Sequence, residues 1–398
     1  MKKIFIIHSN MEIGGAETSL IGLLKSIDYS NYKIDLLLLD RAGELMEMIP
    51  KEVNIIDTPT RYRSLIIPIK DVIKQGQLGI AFTRIIGKTI ALLNSKCKNF
   101  TTIGYMIKEF SHKYSMPLLP KIKGQYDIAI SFIDPHYIVN KKVNAKVKLG
   151  WLHTDFSRVK INEKVDFNMW DGCDYIVSVS DDCKKAFDDR YRNLKGKSIV
   201  IENILTFEFV EKQSKLIDVT DEIVREDGVI IICSIGRFSK QKNFDNVPNI
   251  AKRIIDSGIL IKWYLIGYGI EEKIIKKKIM EEGMENNVFI LGKKSNPYPY
   301  IKACDIYVQP SRFEGKAVTV REAQMLNKPV VITNFKTAKS QLEDGVDGII
   351  VPMDNKECAS GIISLINNNK LREGMINNTK IKDYSNKKEI YKLYNFIK

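Results

Sequence analysis

The stretch "VIIICSIGRFSKQKNFD", residues 229–245, decides how this chain folds. Its first seven residues carry no charge and are rich in isoleucine, which reads as a strand buried on both faces. Gly236 closes the strand with a turn. The loop beyond it carries two cations, Arg237 and Lys242, five positions apart. A buried strand that delivers charge at its carboxyl end is the repeating unit of a parallel α/β sheet, whose ligands sit outside the strand ends. The pattern extends both ways. Upstream, "KIFII", "IDLLLL", "VNIID", "YDIAIS", "KLGWL", "DYIVSVS" and "SIVIEN" read as strands, and downstream "IKWYLIG", "NVFILG", "DIYVQPS" and "PVVIT" do. Helical periods separate them, which predicts an α/β chain of two Rossmann-like, doubly wound domains facing a central cleft.

A length of 398 residues suits two domains. The charged stretch "FEFVEKQSKLIDVTDEIVREDG" shows no buried-strand pattern, so the linker is placed at 204–228. That leaves an N-terminal domain over 1–203 and a C-terminal domain over 229–380. In the tail, Ile390, Leu393 and Ile397 fall at helical spacing, which predicts a helix within 381–398 that packs back on the first domain.

Hydrophobic content of 44% and charged content of 28% describe a globular protein. The apolar run Ile4–Ile7 is shorter than the roughly 7–15 residues of a signal-peptide core. No apolar run approaches the roughly 18 residues that span a bilayer. Six cysteines occur without C-x-x-C, so a reduced cytoplasm is expected, with neither disulfide framework nor zinc site. Four histidines and the absence of D-x-D point away from a protein-built metal site.

The net charge of +14 is uneven. Residues 61–125 hold twelve Lys/Arg and two acids, Asp71 and Glu109, for a net +10. Within them Phe82, Ile86, Ile90 and Leu93 follow helical spacing, with Arg84 and Lys88 expected opposite. A basic amphipathic region suits anionic lipid headgroups or an acidic ligand, and equally a solvated lysine-rich face. Regular aromatic interleaving is lacking, so nucleic acid is not expected.

Four further stretches bear on chemistry. In "HSNMEIGGAETSL", Gly14 and Gly15 follow the first strand and open a helix, a place where backbone can approach a phosphate. The dinucleotide fingerprint G-x-G-x-x-G is absent there and fails at "GYGIEE", whose third glycine position is Glu272. Arg237 and Lys242, without metal ligands nearby, suit the charge of a leaving diphosphate. "GWLHTDFS" puts His153 at a strand's carboxyl end with Asp155 close by, and "SFIDPHY" offers Asp134 and His136 as a competing pair. In "SRFEGKAVTVREAQ" (311–324), Glu314 falls in a loop before a helix and Glu322 in that helix's second turn. Bare helix-start amides would lie between them. Such a pair suits a sugar and nucleotide cradle, or two solvated acids at a helix end.

Taken in order, "GGAE", "GRFSKQKN", "LIGYG", "FILG", "FEGKAVTVREA" and "DGVDGIIVP" resemble glycosyltransferase family 4, the retaining, nucleotide-sugar-dependent group with the GT-B fold. The "FEGK…REA" variant is similar to bacterial enzymes that build capsular and other surface polysaccharides. The resemblance implies transfer of a hexose or N-acetylhexosamine from a nucleotide-sugar donor, UDP-linked by expectation, to a glycan or polyprenyl-diphosphate-linked acceptor. No cofactor or metal is expected, and the expected place is the cytoplasm or the cytoplasmic face of the membrane, where the charge of 61–125 makes that segment the candidate contact with membrane or lipid diphosphate.

By the same resemblance, Glu322 holds the ribose hydroxyls and Glu314 sits by the transferred sugar, with amides around Gly315, Lys316 and Ala317 meeting its hydroxyls. Gly236, Arg237 and Lys242 receive the diphosphate, approached by Gly14 and Gly15. His153 binds a sugar hydroxyl, and Gly267, Gly292 and Lys293 cradle the base. Two departures stand out. Lys316 replaces an aromatic or small apolar residue, and "ENILT" (202–206) replaces Asn-Gly-Val-Asp, leaving Asn203 as the match. A GT-B sugar-nucleotide epimerase and a non-catalytic basic partner in a synthesis complex are the rival readings.

Overall fold

The structure is a computed structural model that describes residues 1–94, 100–133, 135–154, 156, 162–315 and 317–397. Cys97, Asp134, Asp155 and Lys316 lie outside the described residues.

Seven strands form the first sheet: β1 (Lys2–His8), β2 (Tyr32–Leu38), β3 (Asn54–Ile55), β4 (Tyr126–Ser131), β5 (Ala145–Leu152), β6 (Tyr175–Ser178) and β7 (Ser198–Val200). Their order is β3-β2-β1-β4-β5-β6-β7, and every pairing is parallel. Six more form the second: β8 (Ile230–Ile235), β9 (Ile261–Ile266), β10 (Val288–Gly292), β11 (Ile306–Gln309), β12 (Val330–Thr333) and β13 (Ile349–Val351). The order is β10-β9-β8-β11-β12-β13, again parallel throughout. Strand order reverses between β1 and β4, and between β8 and β11. These are the switch points where flanking loops diverge and leave a crevice.

The isoleucine run of β8 explains itself in packing. Ile232 joins one buried cluster with Trp263 and Leu265, while Ile231 and Cys233 join another with Tyr264 and Tyr307. Alternate residues thus feed opposite faces, both covered, and the one polar residue of the strand, Ser234, is buried only with its hydroxyl donating to Val308 O and accepting from Trp263 Nε1.

The chain divides into two compact units. The first holds Met1–Glu12, Ser19–Asn203 and Lys388–Lys398; the second holds Ile13–Thr18 and Ile204–Lys387. Three expectations change accordingly. Residues 204–228, read as a linker, belong to the second unit, where Phe207–Gln213 is helical and Val210, Val219 and Ile223 are buried. Too few apolar positions separate the charges there for a strand pattern, yet those few suffice to dock it. Within 381–398 only Lys388–Lys398 belongs to the first unit, and its α-helix is the short Ile390–Tyr394. Ile390, Leu393 and Ile397 are buried, and Tyr394 stacks on Tyr32 with ring centroids 4.3 Å apart. Finally, β13 was not anticipated as a strand, because its three residues are hemmed in by Gly348 and Pro352.

The helix Leu78–Asn94 also turns a different face inward. Ile80, Ala81, Gly87 and Ala91 are buried, whereas Phe82 and Leu93 are exposed. Arg84, expected outside, is half-buried and its Nη1 donates to the carbonyls of Ser64 (2.7 Å) and Ile67 (2.6 Å). Hydropathy alone does not reveal the inward face, because the neighbour demands a small side chain at Gly87. A Cβ on Gly87 would lie 2.6 Å from the Ser111 amide nitrogen in the helix Phe100–Ser115. Gly104, on the same partner helix, has nothing within 4 Å of such a Cβ.

Gly87→Ala should therefore lower stability by about 1–3 kcal/mol through overpacking, while Gly104→Ala should raise it by up to about 1 kcal/mol through helix propensity. Chemical denaturation of both variants measures the contrast, and equal effects would contradict this packing.

Candidate functional site

The loops that leave β8 and β11 meet at the second sheet's switch point. Arg312 ties them together: its guanidinium forks onto both carboxylate oxygens of Asp245 (2.8 and 2.7 Å), and its amide donates to Gln241 O at 2.8 Å. Glu314 lies between the loops, 6% exposed. A carboxylate so enclosed must be matched on both oxygens. Lys242 Nζ and Ser311 Oγ each donate to Oε1 at 2.6 Å, and Gln241 Nε2 donates to Oε2 at 3.1 Å.

Behind Glu314 runs a directional chain of buried hydrogen bonds. Tyr307 Oη donates to Gln309 Oε1 (2.8 Å), Gln309 Nε2 donates to Ser311 Oγ (2.9 Å), and Ser311 donates to Glu314. Alternate residues of β11 and of the turn after it, ending at Ser311, thus hold the carboxylate from one side while Lys242 holds it from the other. Thr337 Oγ1 fixes the Glu314 carbonyl at 2.9 Å. The Lys242 stem lies over Gly236, where a Cβ would come 2.9 Å from Lys242 Cε. Arg237 is exposed and makes no ion pair with any described residue. The site therefore pairs one half-buried, neutralised ammonium with one unspent guanidinium.

The strand-end loops of β8, β9 and β10 are stitched through backbone. Phe238 N donates to Tyr268 O (2.8 Å) and Gly267 N to Gly292 O (2.9 Å). Gly267 has φ +148°, and a Cβ there would sit 1.9 Å from Gly236 O, so no other residue fits. Gly292 has φ +73°, and the Lys293 ammonium lies 5.1 Å from the Tyr268 ring centroid.

Glu322 occupies the second turn of the helix Val318–Met325 and is 2% exposed. Tyr298 Oη donates to its Oε1 at 2.9 Å. Burial pushes its carboxyl up to about 7, against the opposing pull of the Tyr298 hydroxyl. The short N-terminal segment Ile13–Thr18 also belongs to this unit. The same segment brings Gly15 beside the helix start, with a Cβ there only in ordinary contact, 3.9 Å from Val318 Cγ2. At Gly14 a Cβ would strike Glu17 Oε2 at 2.2 Å. One expectation is altered: the Ala317 amide, counted as free for a sugar hydroxyl, donates to Gln341 Oε1 at 3.0 Å.

In the first unit His153 follows β5. Its Nε2 lies 2.9 Å from Phe132 O, and because a carbonyl only accepts, that nitrogen carries the proton. His136 is a core residue, fully buried over Trp170 with ring centroids 4.3 Å apart, and burial pushes its pKa down to about 3. At that unit's switch point a small pocket is lined by His8, Ser9, His112 and Ser131, none of which was singled out as a site residue. Gln241, Tyr298, Ser311 and Thr337 were also missed, since each acts only through a residue distant in sequence. Among the described residues no group of three His, Cys, Asp or Glu side chains could hold a metal ion.

Known proteins resemble this chain, and the family match falls within the second unit. Residues 219–382 match the family Glycosyl transferases group 1. The chain is 27% identical over 143 residues to the poly(ribitol-phosphate) alpha-N-acetylglucosaminyltransferase of Staphylococcus aureus, covering 35% of this chain and 29% of that one. It is 28% identical over 162 residues to the N-acetylgalactosamine-N,N'-diacetylbacillosaminyl-diphospho-undecaprenol 4-alpha-N-acetylgalactosaminyltransferase of Campylobacter jejuni, covering 40% of this chain and 43% of that one. The matches thus span less than half the length of these relatives. A crystal structure of Anabaena HepE in complex with UDP and glucose superposes with a TM-score of 0.70 at 16% identity, covering 99% of both chains. The two parallel-sheet, Rossmann-like units are those of the GT-B fold.

The raised carboxyl of Glu322 has a stability signature. Between pH 4.5 and about 7 the native state keeps a proton that the unfolded chain has lost, so stability falls with rising pH across that window and levels above it. Glu322→Gln keeps an acceptor for Tyr298 and abolishes this slope. Its stability relative to wild type should improve between pH 5 and pH 8 by on the order of 2–3 kcal/mol, read by urea denaturation at both values. A pH-independent difference would show that Glu322 is ionised throughout.

Proposed function

We propose that this protein is a retaining glycosyltransferase that moves a hexose or N-acetylhexosamine from a UDP-sugar to a lipid-linked or glycan acceptor. The observation that carries the reading is the Glu314–Lys242 pair, locked at the second sheet's switch point beside the exposed Arg237. It falls within the residues matched to glycosyl transferases group 1. The UDP named for HepE, and the diphospho-undecaprenol in the Campylobacter enzyme's name, support the donor and acceptor classes.

In this reading the negative charge that develops on the leaving diphosphate is met by Arg237 and by the outward face of the Lys242 ammonium, so no metal is needed. Lys242 costs no reorganisation, because Glu314 and the β11 hydrogen-bond chain hold it in place beforehand. The leaving diphosphate takes the acceptor proton on the face it departs from, and the anomeric configuration is kept. Glu322 accepts from the ribose hydroxyls, Gly15 and Gly236 admit the diphosphate, and the Gly267 and Gly292 loops flank the base. His153 positions a sugar hydroxyl. Surface polysaccharide synthesis at the cytoplasmic face of a bacterial membrane is the setting this chemistry fits.

The test is turnover across UDP-, GDP- and ADP-sugars with chelator present, using mass spectrometry for nucleotide release and NMR for the product anomer. One UDP-sugar should be consumed, unaffected by chelator, with its anomeric configuration retained in the glycoside. An inverted product would overturn the mechanism, and donor isomerised without acceptor would favour an epimerase.

Arg237→Ala removes an exposed side chain, so the fold should persist while kcat falls about 10²–10³-fold; near-normal turnover at saturating donor would refute its role. Glu322→Gln should chiefly raise the donor KM, and an unchanged KM would remove the ribose contact.

A further inference from the structure

The helix Leu78–Asn94 wears its amphipathic pattern inside out. Ile80 packs inward with the small residues Ala81, Gly87 and Ala91, and Leu78, Phe82, Ile85, Leu92 and Leu93 are 64%, 64%, 48%, 49% and 80% exposed. Positions 78, 82, 85 and 92 advance by threes, fours and sevens, so they form one stripe, with Thr89 filling the gap. The stripe runs about 20 Å along the helix. Ile73, on the adjoining helix Ile69–Lys74, adds another exposed side chain (47%). Scattered apolar residues are ordinary on a protein surface, but a continuous row implies a cover.

The charge around the stripe selects the cover. The helix carries no acid; Lys88 is exposed beside the stripe, and Lys70 and Lys74 are exposed on the adjoining helix. Of the two acids within 61–125, Glu109 is fully buried. A second copy of the chain would bring two strongly cationic faces together, which like-charge repulsion opposes. An anionic bilayer satisfies both features at once, taking the apolar row among its acyl chains and the lysines among its headgroups.

We propose that the helix Leu78–Asn94 lies in the interface of a membrane rich in anionic lipid, with Leu78, Phe82, Ile85 and Leu92 inserted and Lys70, Lys74 and Lys88 at headgroup level. This placement stands independently of the glycosyltransferase reading.

The experiment is co-sedimentation of the full chain with vesicles of phosphatidylcholine alone or mixed with phosphatidylglycerol. Binding should require phosphatidylglycerol and fall several-fold as salt rises. The double variant Phe82→Ser/Ile85→Ser should bind at least about tenfold more weakly, while Leu260→Ser, an exposed leucine of the second unit, should bind as wild type does. Both should melt as wild type does, because the replaced side chains are exposed. A Phe82→Trp variant should show a blue-shifted emission on vesicle addition, against the native Trp151, Trp170 and Trp263, which are buried. Three results would each overturn the proposal: no binding to anionic vesicles, binding that the double variant leaves unchanged, or self-association that the double variant abolishes. Donor hydrolysis without vesicles should be equal in wild type and double variant, which separates this result from any failure of the catalytic reading.

Discussion

A sheet whose strands all run the same way delivers every loop that follows a strand to one edge. That constraint governs both units of this chain. In the second it brings residues from 236, 242, 267, 292 and 314 to a common rim, although they are spread over some eighty positions. The rim can be assembled only because glycine stands where backbone touches backbone. At Gly267 the neighbouring carbonyl occupies the volume in which any other residue would place its Cβ.

Within that frame, charge is arranged in two ways. Glu314 and Lys242 neutralise each other in a nearly closed setting, and their value lies in fixed position, since a buried pair contributes little net stability. Arg237 stays in water, where its charge is available. Glu322 differs again: its single hydroxyl donor leaves it poorly matched for an ionised group, and its proton is correspondingly hard to remove. Two glutamates eight positions apart thus live in opposite electrostatic regimes, set by the number of donors each one meets.

The sequence made the strands legible because burial on both faces leaves an uncharged, mainly apolar run, as in β8. It made Gly236, Arg237, Lys242 and Glu314 legible because turn and charge stand immediately after such runs. It failed where the deciding partner lies elsewhere in the chain. The inward face of Leu78–Asn94 is set by the Ser111 backbone, which no hydropathy count on the helix contains. Gln309 and Ser311 look like ordinary strand-end polar residues until Tyr307 and Glu314 are seen to flank them. The Ala317 amide is occupied by Gln341, twenty-four positions away.

The units are interleaved along the chain: residues 13–18 and 204–387 make one, and the remainder makes the other. No single cut separates them. A fragment beginning at Ile204 would lack residues 13–18, and with them Gly15, the neighbour of Val318. Recombination between related chains at that one joint would therefore exchange most of a unit while leaving its smallest piece behind. Grafts that aim to transplant the second unit whole must carry the thirteenth to eighteenth residues with it.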